Sequence, residues 1–102
     1  MLYKKFSKKI KERFPDCFYY KIPDTAGLGG KRPFDSFLLV EGISFAIEFK
    51  SKGDELTPYQ VCTLKLFQNA GGNSLVFSDG NDMDAFITYI AHLVKNSKLE
   101  VK

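Results

Sequence analysis

The sequence predicts a single α/β domain whose elements follow the order α-β-β-β-α-β-α. Three features support this order: an amphipathic stretch at the start, two apolar runs joined by Glu41-Gly42, and a capped helix closed by Gly71-Gly72. The chain has 102 residues, of which 44% are hydrophobic. That is enough for one compact core but leaves little for a second domain, so we treat residues 1–102 as one unit.

The first part of the chain predicts a helix, a strand and a long loop. Apolar side chains recur every four residues at Leu2, Phe6, Ile10 and Phe14. This spacing predicts an amphipathic helix over residues 2–14, ended by Pro15. Residues 17–22 are rich in aromatic side chains and predict a short strand, and residues 23–33 predict a glycine-containing loop. Loops of this length in compact domains often carry function.

Two apolar runs, residues 34–40 and 43–49, predict a pair of strands. The intervening Glu41-Gly42 predicts a tight hairpin turn. In the register of a two-residue turn, Asp35 lies directly opposite Glu48, and both side chains point to the same face of the sheet. Lys50, two residues after Glu48, shares that face.

A helix boundary is predicted at Thr57, whose hydroxyl can cap the first turn. A proline follows at the first helical position, and Gln60 stands three residues after the cap. Gly71-Gly72 predicts the end of this helix. A strand over residues 74–77 and a closing helix from about Asp82 to Lys95 complete the order.

The formal net charge is +3, but it is unevenly distributed. Residues 1–21 carry six lysines and one arginine against two acidic residues, a balance of +5 that leaves −2 for the remainder. A basic end on a near-neutral body suits binding to a phosphate backbone, with Lys5, Lys8 and Lys9 as candidate contacts. The alternative is a lysine-rich helix that is simply solvated.

The composition also indicates the cellular setting. No apolar run approaches the roughly 18 residues that a membrane helix requires, and the N-terminal lysines are not followed by the apolar segment of a signal peptide. We expect a soluble, cytoplasmic protein without a membrane partner, and its small size would fit a bacterial or phage origin. Cys17 and Cys62 lack the spacing of a zinc site or a disulfide framework, so both are expected to be free thiols.

Opposed carboxylates repel each other, so the pairing of Asp35 with Glu48 indicates a bound hard cation. Mg²⁺ prefers oxygen ligands and usually takes one or two carboxylates together with water and substrate phosphate. The backbone carbonyl of Phe49 is a further candidate ligand. A cation here can polarise a phosphodiester, while Lys50 orients the attacking water or offsets developing charge. The alternative is that all three are ordinary solvent-facing strand residues.

Gln60 is a candidate fourth member of this site. It shares a helical face with Leu64, Phe67 and Gly71, which places a polar side chain at the start of a core-facing stripe. The alternative is the capping-box role beside Thr57. One glutamine is not expected to do both easily.

Together these residues resemble the PD-(D/E)xK nuclease superfamily, and within it the archaeal-type Holliday junction resolvases and the stand-alone VRR-NUC nucleases. The resemblance covers about residues 20–77 and is carried by Pro33-Phe34-Asp35, Glu48-Phe49-Lys50, Leu56-Thr57-Pro58-Tyr59-Gln60 and Gly71-Gly72. It implies a restriction-endonuclease-like mixed central sheet flanked by helices. It also implies that Asp35 and Glu48 bind Mg²⁺ or Mn²⁺, that Lys50 is catalytic and that Gln60 supports the site.

The sequence departs from the family pattern in two places. The family has adjacent Pro and Asp, whereas Phe34 intervenes here. Pro15-Asp16 and Pro23-Asp24 are adjacent but have no hairpin partner, so we retain Asp35. The resolvases also carry a metal-binding Glu on the first helix. The candidate here, Glu12, lies on the side of the helix opposite its apolar stripe, so we do not assign that role to it.

The loop after the first strand resembles the family's flexible substrate loop. Its glycines allow close approach of the backbone, and Lys31 and Arg32 can meet phosphates. The candidate DNA contacts at this end of the molecule are Thr25, Gly27, Gly29, Gly30, Lys31, Arg32 and Lys52. The alternative is a plain mobile connector.

We therefore expect a Mg²⁺-dependent endodeoxyribonuclease that recognises DNA by shape, such as a Holliday junction or other branched DNA. A symmetric junction requires two matched cuts and one chain offers one site, so we expect a homodimer. The alternative enzyme is a nickase or flap nuclease of VRR-NUC type. The alternatives without catalysis are a DNA-binding module of the same fold and a protein-interaction domain.

Overall fold

A computed structural model describes residues 1–23 and 32–98 of the chain. The elements are α1 (Leu2–Arg13), β1 (Phe18–Lys21), β2 (Ser36–Val40), β3 (Ile43–Lys50), α2 (Pro58–Asn69), β4 (Asn73–Ser78) and α3 (Met83–Lys98). This is the predicted order, and each predicted element is present. The closing helix extends about one turn beyond its predicted end at Lys95. The prediction followed the apolar residues, and the last turn is still helical although it lies beyond them.

The four strands form one mixed sheet in the order β1-β2-β3-β4. β1, β2 and β3 are antiparallel neighbours, whereas β3 and β4 are parallel and are connected through α2. A parallel connection needs such a crossover because the chain must return to the same end of the sheet. The mixed sheet flanked by helices, expected from the family resemblance, is therefore confirmed.

The hairpin between β2 and β3 has the predicted turn. Glu41 and Gly42 adopt φ angles of 51° and 85°, both in the left-handed region that the two-residue hairpin turn requires. The ladder runs from Val40 opposite Ile43 to Ser36 opposite Ile47, as expected. It ends there, so β2 begins at Ser36 and not at residue 34.

The larger core lies between the sheet and the helices α1 and α3. Phe6 of α1 is fully buried and its ring packs 5.3, 5.5 and 5.7 Å from the rings of Tyr19, Phe49 and Phe86. From α3, the buried side chains are Met83, Ile87, Ile90 and Val94. This packing fixes the N-terminal end of α1 against the ends of β1 and β3, which is where the candidate site lies.

The smaller core lies on the other face of the sheet, under α2. It contains Phe34, Ala46 and Leu64, with Phe67 packed edge-on against Phe34 at 5.4 Å. A side chain at position 72 would collide with the Phe67 ring, since a Cβ there would lie 2.1 Å from it. Gly72 is therefore required for the close approach between the end of α2 and the chain entering β4.

Two expectations about the setting can be compared with the structure. Neither α1, α2 nor the described part of α3 is long and apolar enough to cross a membrane. Cys17 is partly buried and Cys62 is exposed, and both are free, as predicted.

Candidate functional site

Asp35 is joined to Glu48 and Phe49 by hydrogen bonds between side chain and main chain rather than by the sheet ladder. Asp35 lies one residue before β2. Its main-chain N–H donates to Glu48 Oε2 at 3.2 Å, while its own Oδ2 accepts the N–H of Phe49 at 2.8 Å. The main-chain carbonyl of Asp35 accepts the N–H of Ile22 at 2.9 Å. The two acids are therefore neighbours, as predicted. At this end of the hairpin, however, their carboxylate oxygens accept the main-chain N–H groups in place of the backbone carbonyls of a regular ladder.

Glu48 is the most deeply buried carboxylate of the pair, at 2% exposure against 6% for Asp35. Its Oε1 accepts a hydrogen bond from Gln60 Nε2 at 3.0 Å and lies 3.9 Å from Lys50 Nζ. Burial and, after it, the negative charge of Asp35 together raise the pKa of Glu48 to about 7, against a smaller lowering by Lys50. The pair is therefore short of positive charge where the two acids meet.

Gln60 both caps α2 and contacts Glu48, the two roles that the sequence presented as alternatives. Its Oε1 accepts the main-chain N–H of Thr57 at 2.9 Å, and Thr57 Oγ1 accepts the N–H of Gln60 at 3.2 Å, which completes a capping box. Its Nε2 is then free to donate to Glu48. The expectation that one glutamine cannot do both was wrong, because the two ends of the amide serve opposite partners.

The second oxygen of Asp35 is buried and accepts no directed hydrogen bond. Its partner is the guanidinium of Arg32, which forms an ion pair with Asp35 Oδ1. Arg32 also donates to the main-chain carbonyl of Ile22 at 3.2 Å, so the side chain is held between β1 and the start of β2. The Asp35 charge is balanced by a side chain that itself faces the cleft described next.

A cleft of about 410 Å³ opens beside Asp35. It is lined by Met1, Leu2, Tyr3, Lys21, Arg32, Asp35, Phe49, Lys50, Ser51 and Asp79. Four predicted site residues therefore line the cleft: Arg32, Asp35, Phe49 and Lys50. Glu48 does not line the cleft, but it lies in hydrogen-bond contact with the main chain of Asp35. Asp79 is positioned at the cleft because its N–H donates to the Lys50 carbonyl at 2.8 Å.

The donor atoms at this site fit a hard divalent cation. Asp35 Oδ1 accepts no directed hydrogen bond and meets the Arg32 guanidinium as an ion pair, and the Lys50 ammonium lies 3.9 Å from the adjacent Glu48 carboxylate. No three His, Cys, Asp or Glu side chains within residues 1–23 and 32–98 cluster as a metal-ligand set. Mg²⁺ usually takes only one or two carboxylates and completes its shell with water and substrate oxygens, and the Asp35–Glu48 pair supplies that number of acids.

The first helix presents no acid to this site. Its N-terminal residues Met1, Leu2 and Tyr3 line the cleft, and its first turn contains no Asp or Glu. Glu12 lies in the last turn of α1, where it lines a separate surface depression with Lys9 and Asp84. The position on α1 that faces the cleft is occupied by Tyr3, whose ring holds the Lys21 ammonium 4.8 Å from its centroid.

A basic groove adjoins the cleft along α1. It is lined by Tyr3, Lys4, Ser7, Lys8, Lys11, Tyr19 and Lys21. Of the three lysines predicted as contacts, Lys8 lies in this groove. Lys9 instead donates to Asp84 Oδ1 at 2.7 Å on the opposite side of α1, and Lys5 lies near enough to Asp84 to lower the pKa of that carboxyl.

Sequence reasoning missed Tyr3, Lys4, Lys11 and Lys21. Lys4 and Lys11 were detectable, because they share one face of the helix with the predicted Lys8. Lys21 lines the groove because β1 pairs with β2. This pairing places Lys21 opposite Ser36, the residue after Asp35. That pairing has no local sequence signal.

Several predicted contacts are not described. Thr25, Gly27, Gly29, Gly30 and Lys31 lie outside the described residues. Lys52 is exposed, in the turn that follows β3 two residues beyond Lys50.

Comparison with known proteins identifies the fold. A solved structure described as a "VRR_NUC domain" superposes on this chain with a TM-score of 0.61 and 21% sequence identity, over 83% of this chain and 92% of that chain. No family model matches the sequence, and no curated protein matches it. The fold that the resemblance to PD-(D/E)xK nucleases of VRR-NUC type implied is therefore confirmed.

Proposed function

We propose that this protein is a Mg²⁺-dependent endodeoxyribonuclease that hydrolyses phosphodiesters at the Asp35–Glu48 pair. The observation that carries the proposal is a pair of buried carboxylates beside Lys50, each of which accepts a main-chain N–H from the facing segment, with Asp35 and Lys50 lining a cleft, in a fold shared with a VRR_NUC domain. Two buried acids with insufficient positive charge are unfavourable unless a ligand compensates them. A hard cation bound together with a phosphate group supplies that compensation.

Each residue has a distinct part in this chemistry. Asp35 Oδ1 and Glu48 would hold the cation, with the Phe49 carbonyl as a further oxygen ligand. Bound Mg²⁺, or Mn²⁺ in its place, supplies positive charge that polarises the phosphodiester and makes a water molecule more acidic. Lys50 faces the cleft beside Glu48, so its ammonium can orient the attacking water and stabilise the developing charge on the phosphate. Gln60 holds the Glu48 carboxylate in place.

The proposed substrate is DNA, recognised through its backbone and shape. The described residues around the cleft offer lysines, Arg32 and main-chain groups, which contact phosphates without reading sequence. Branched DNA, including a Holliday junction, is the proposed form of the substrate. A nickase or flap nuclease is the second candidate, favoured by the likeness to a VRR_NUC domain. Binding without cleavage would instead identify a DNA-binding module.

We also propose that the protein acts as a homodimer, since a symmetric junction requires two sites. Support comes from an apolar patch on the α2 side of the sheet, beyond the area that α2 covers. Phe18, Tyr20 and Leu39 are 56%, 49% and 38% exposed there, and the Phe18 and Tyr20 rings stack at 6.4 Å. Exposed aromatic side chains of this kind are typical of interface centres.

The cleavage prediction concerns the two acids. With Mg²⁺ or Mn²⁺, the parent protein should cut at least one member of a labelled panel of four-way junction, flap, duplex and single-stranded DNA, and EDTA should abolish cutting. Asp35→Asn and Glu48→Gln should each lower the rate by roughly 10²-fold or more, because each removes a charged cation ligand.

The matched control is Asp84→Asn, which removes an exposed carboxylate on α3 that pairs with Lys9 away from the cleft. This variant should cut at the rate of the parent. Cleavage by the parent that survives EDTA, or equal rates for the parent and Glu48→Gln, would contradict the proposed function.

A second prediction separates the two roles of Gln60. Thr57→Ala should lower the free energy of unfolding by about 1 kcal/mol through loss of the cap, with cleavage within about threefold of the parent because Gln60 still reaches Glu48. Gln60→Ala should cause a similar loss of stability together with a much larger loss of cleavage. Denaturant unfolding and cleavage rates measured on the same samples test this. Equal cleavage by the two variants would leave Gln60 with a capping role alone.

A third prediction concerns the apolar patch. Sedimentation equilibrium of the parent should give the mass of a dimer, and Phe18→Ser should shift it toward the monomer because it removes a large apolar contact. Tyr89→Ser, which changes an exposed aromatic residue on α3, is the control and should leave the dimer intact. A monomeric parent at micromolar concentration would rule out this association.

A further inference from the structure

The groove between α1 and β1 contains a group of positive charges that neighbouring carboxylates do not balance. Its volume is about 460 Å³, and its charged side chains are all lysines: Lys4, Lys8, Lys11 and Lys21. Among the described residues, no carboxylate lies within ion-pair distance of any of these four ammonium groups. By contrast, Lys9 on the other side of α1 is paired with Asp84. The groove is therefore a concentrated positive surface without an internal counter-charge.

The groove is continuous with the candidate active site. Tyr3 and Lys21 line both the groove and the cleft that contains Asp35 and Lys50. Lys21 follows the last aromatic residue of β1 and pairs in register with Ser36, the residue after Asp35. Its ammonium is held over the Tyr3 ring at 4.8 Å from the centroid. A cation–π contact of this kind keeps the charge at one place without neutralising it.

The dimensions suit one strand of a nucleic acid. Lys4 and Lys11 are seven residues apart on a regular helix, so they span roughly 10 Å along its axis. That distance corresponds to about three nucleotides at the roughly 3.4 Å rise of each strand. The lysines are on one helical face, so a strand lying in the groove can meet successive ammonium groups.

We propose that this groove carries the phosphate backbone of the substrate into the active site. Lys4, Lys8 and Lys11 contact phosphates beside the scissile one, and Lys21, positioned by Tyr3, contacts the phosphate at the entrance of the cleft. The proposal rests on the proposed function, because it takes the substrate to be DNA.

The test measures DNA binding in EDTA, so that no cleavage takes place. Fluorescence anisotropy with a labelled DNA duplex between 50 and 200 mM salt compares the parent with the triple variant Lys4→Gln, Lys8→Gln, Lys11→Gln. The slope of log affinity against log salt should fall in magnitude by about 2 to 3, because each lost phosphate contact removes roughly 0.9. The affinity at 100 mM salt should fall by about tenfold or more.

The matched control has the same change of net charge at other places. Lys65→Gln, Lys95→Gln, Lys98→Gln removes three exposed lysines from α2 and from the end of α3, where Lys98 pairs with Glu41 at the opposite end of the hairpin. This variant should keep the slope of the parent to within about 1. Equal losses of DNA affinity in both triple variants would show that only net charge matters, and would overturn the proposed role of the groove.

A second arm tests the positioning role of Tyr3. Lys21→Gln should weaken binding, Tyr3→Phe should keep the parent affinity because the ring remains, and Tyr3→Leu should weaken binding severalfold. If Tyr3 acts through Lys21, then Tyr3→Leu has no further effect in a Lys21→Gln background. Additive losses would overturn the positioning role, and thermal unfolding of each variant checks that it is folded.

The outcomes also separate this proposal from the proposed function. A parent that cuts DNA while the groove triple binds like the parent would overturn the groove and leave the nuclease intact. A parent that binds no DNA even at 50 mM salt would overturn both. A groove triple that loses binding, with a parent that binds but never cuts, would support the groove and overturn catalysis.

Discussion

The arrangement of the site depends on two hydrogen bonds, from the Asp35 N–H to Glu48 and from the Phe49 N–H to Asp35. Each acid uses a carboxylate oxygen to bind main chain on the opposite strand, so the hairpin cannot separate at this point without exposing both. The cost is two buried acids in contact, and the raised pKa of Glu48 reflects it. Arg32 forms an ion pair with Asp35, while Gln60 donates a hydrogen bond to Glu48 and the Lys50 ammonium lies 3.9 Å from it.

The helices α1 and α2, on the two faces of the sheet, surround this pair of acids. α2 covers one face of β3 and delivers Gln60 at its first turn, while α1 packs on the other face through Phe6 and brings Tyr3 to the cleft. Helix α2 therefore supports the carboxylates, and helix α1 forms the wall that a substrate would contact. The capping box links these functions, since the amide that starts α2 also holds Glu48.

Much of this could be predicted from the sequence because the relevant signals are local. The Glu41-Gly42 turn fixes the register, and the register brings residue 35 to residue 48. The sequence could not show that Asp35 leaves the ladder, because Phe34 preceding it packs under α2 in a long-range contact. It also could not place Lys21 near Asp35 or direct Lys9 to Asp84, since both depend on how separate elements pack. The dual role of Gln60 was missed because one side chain was assigned a single partner.

The most direct measurement is the pKa of Glu48, read from the carbon-13 shift of its side-chain carboxyl during a pH titration by NMR. A value of about 7 is expected in EDTA, because burial and Asp35 favour the neutral form. Added Mg²⁺ should lower the pKa, since a cation bound between the acids favours the charged form, and Asp35→Asn should lower the metal-free value. A pKa of Glu48 that Mg²⁺ does not change would contradict a cation site at this pair.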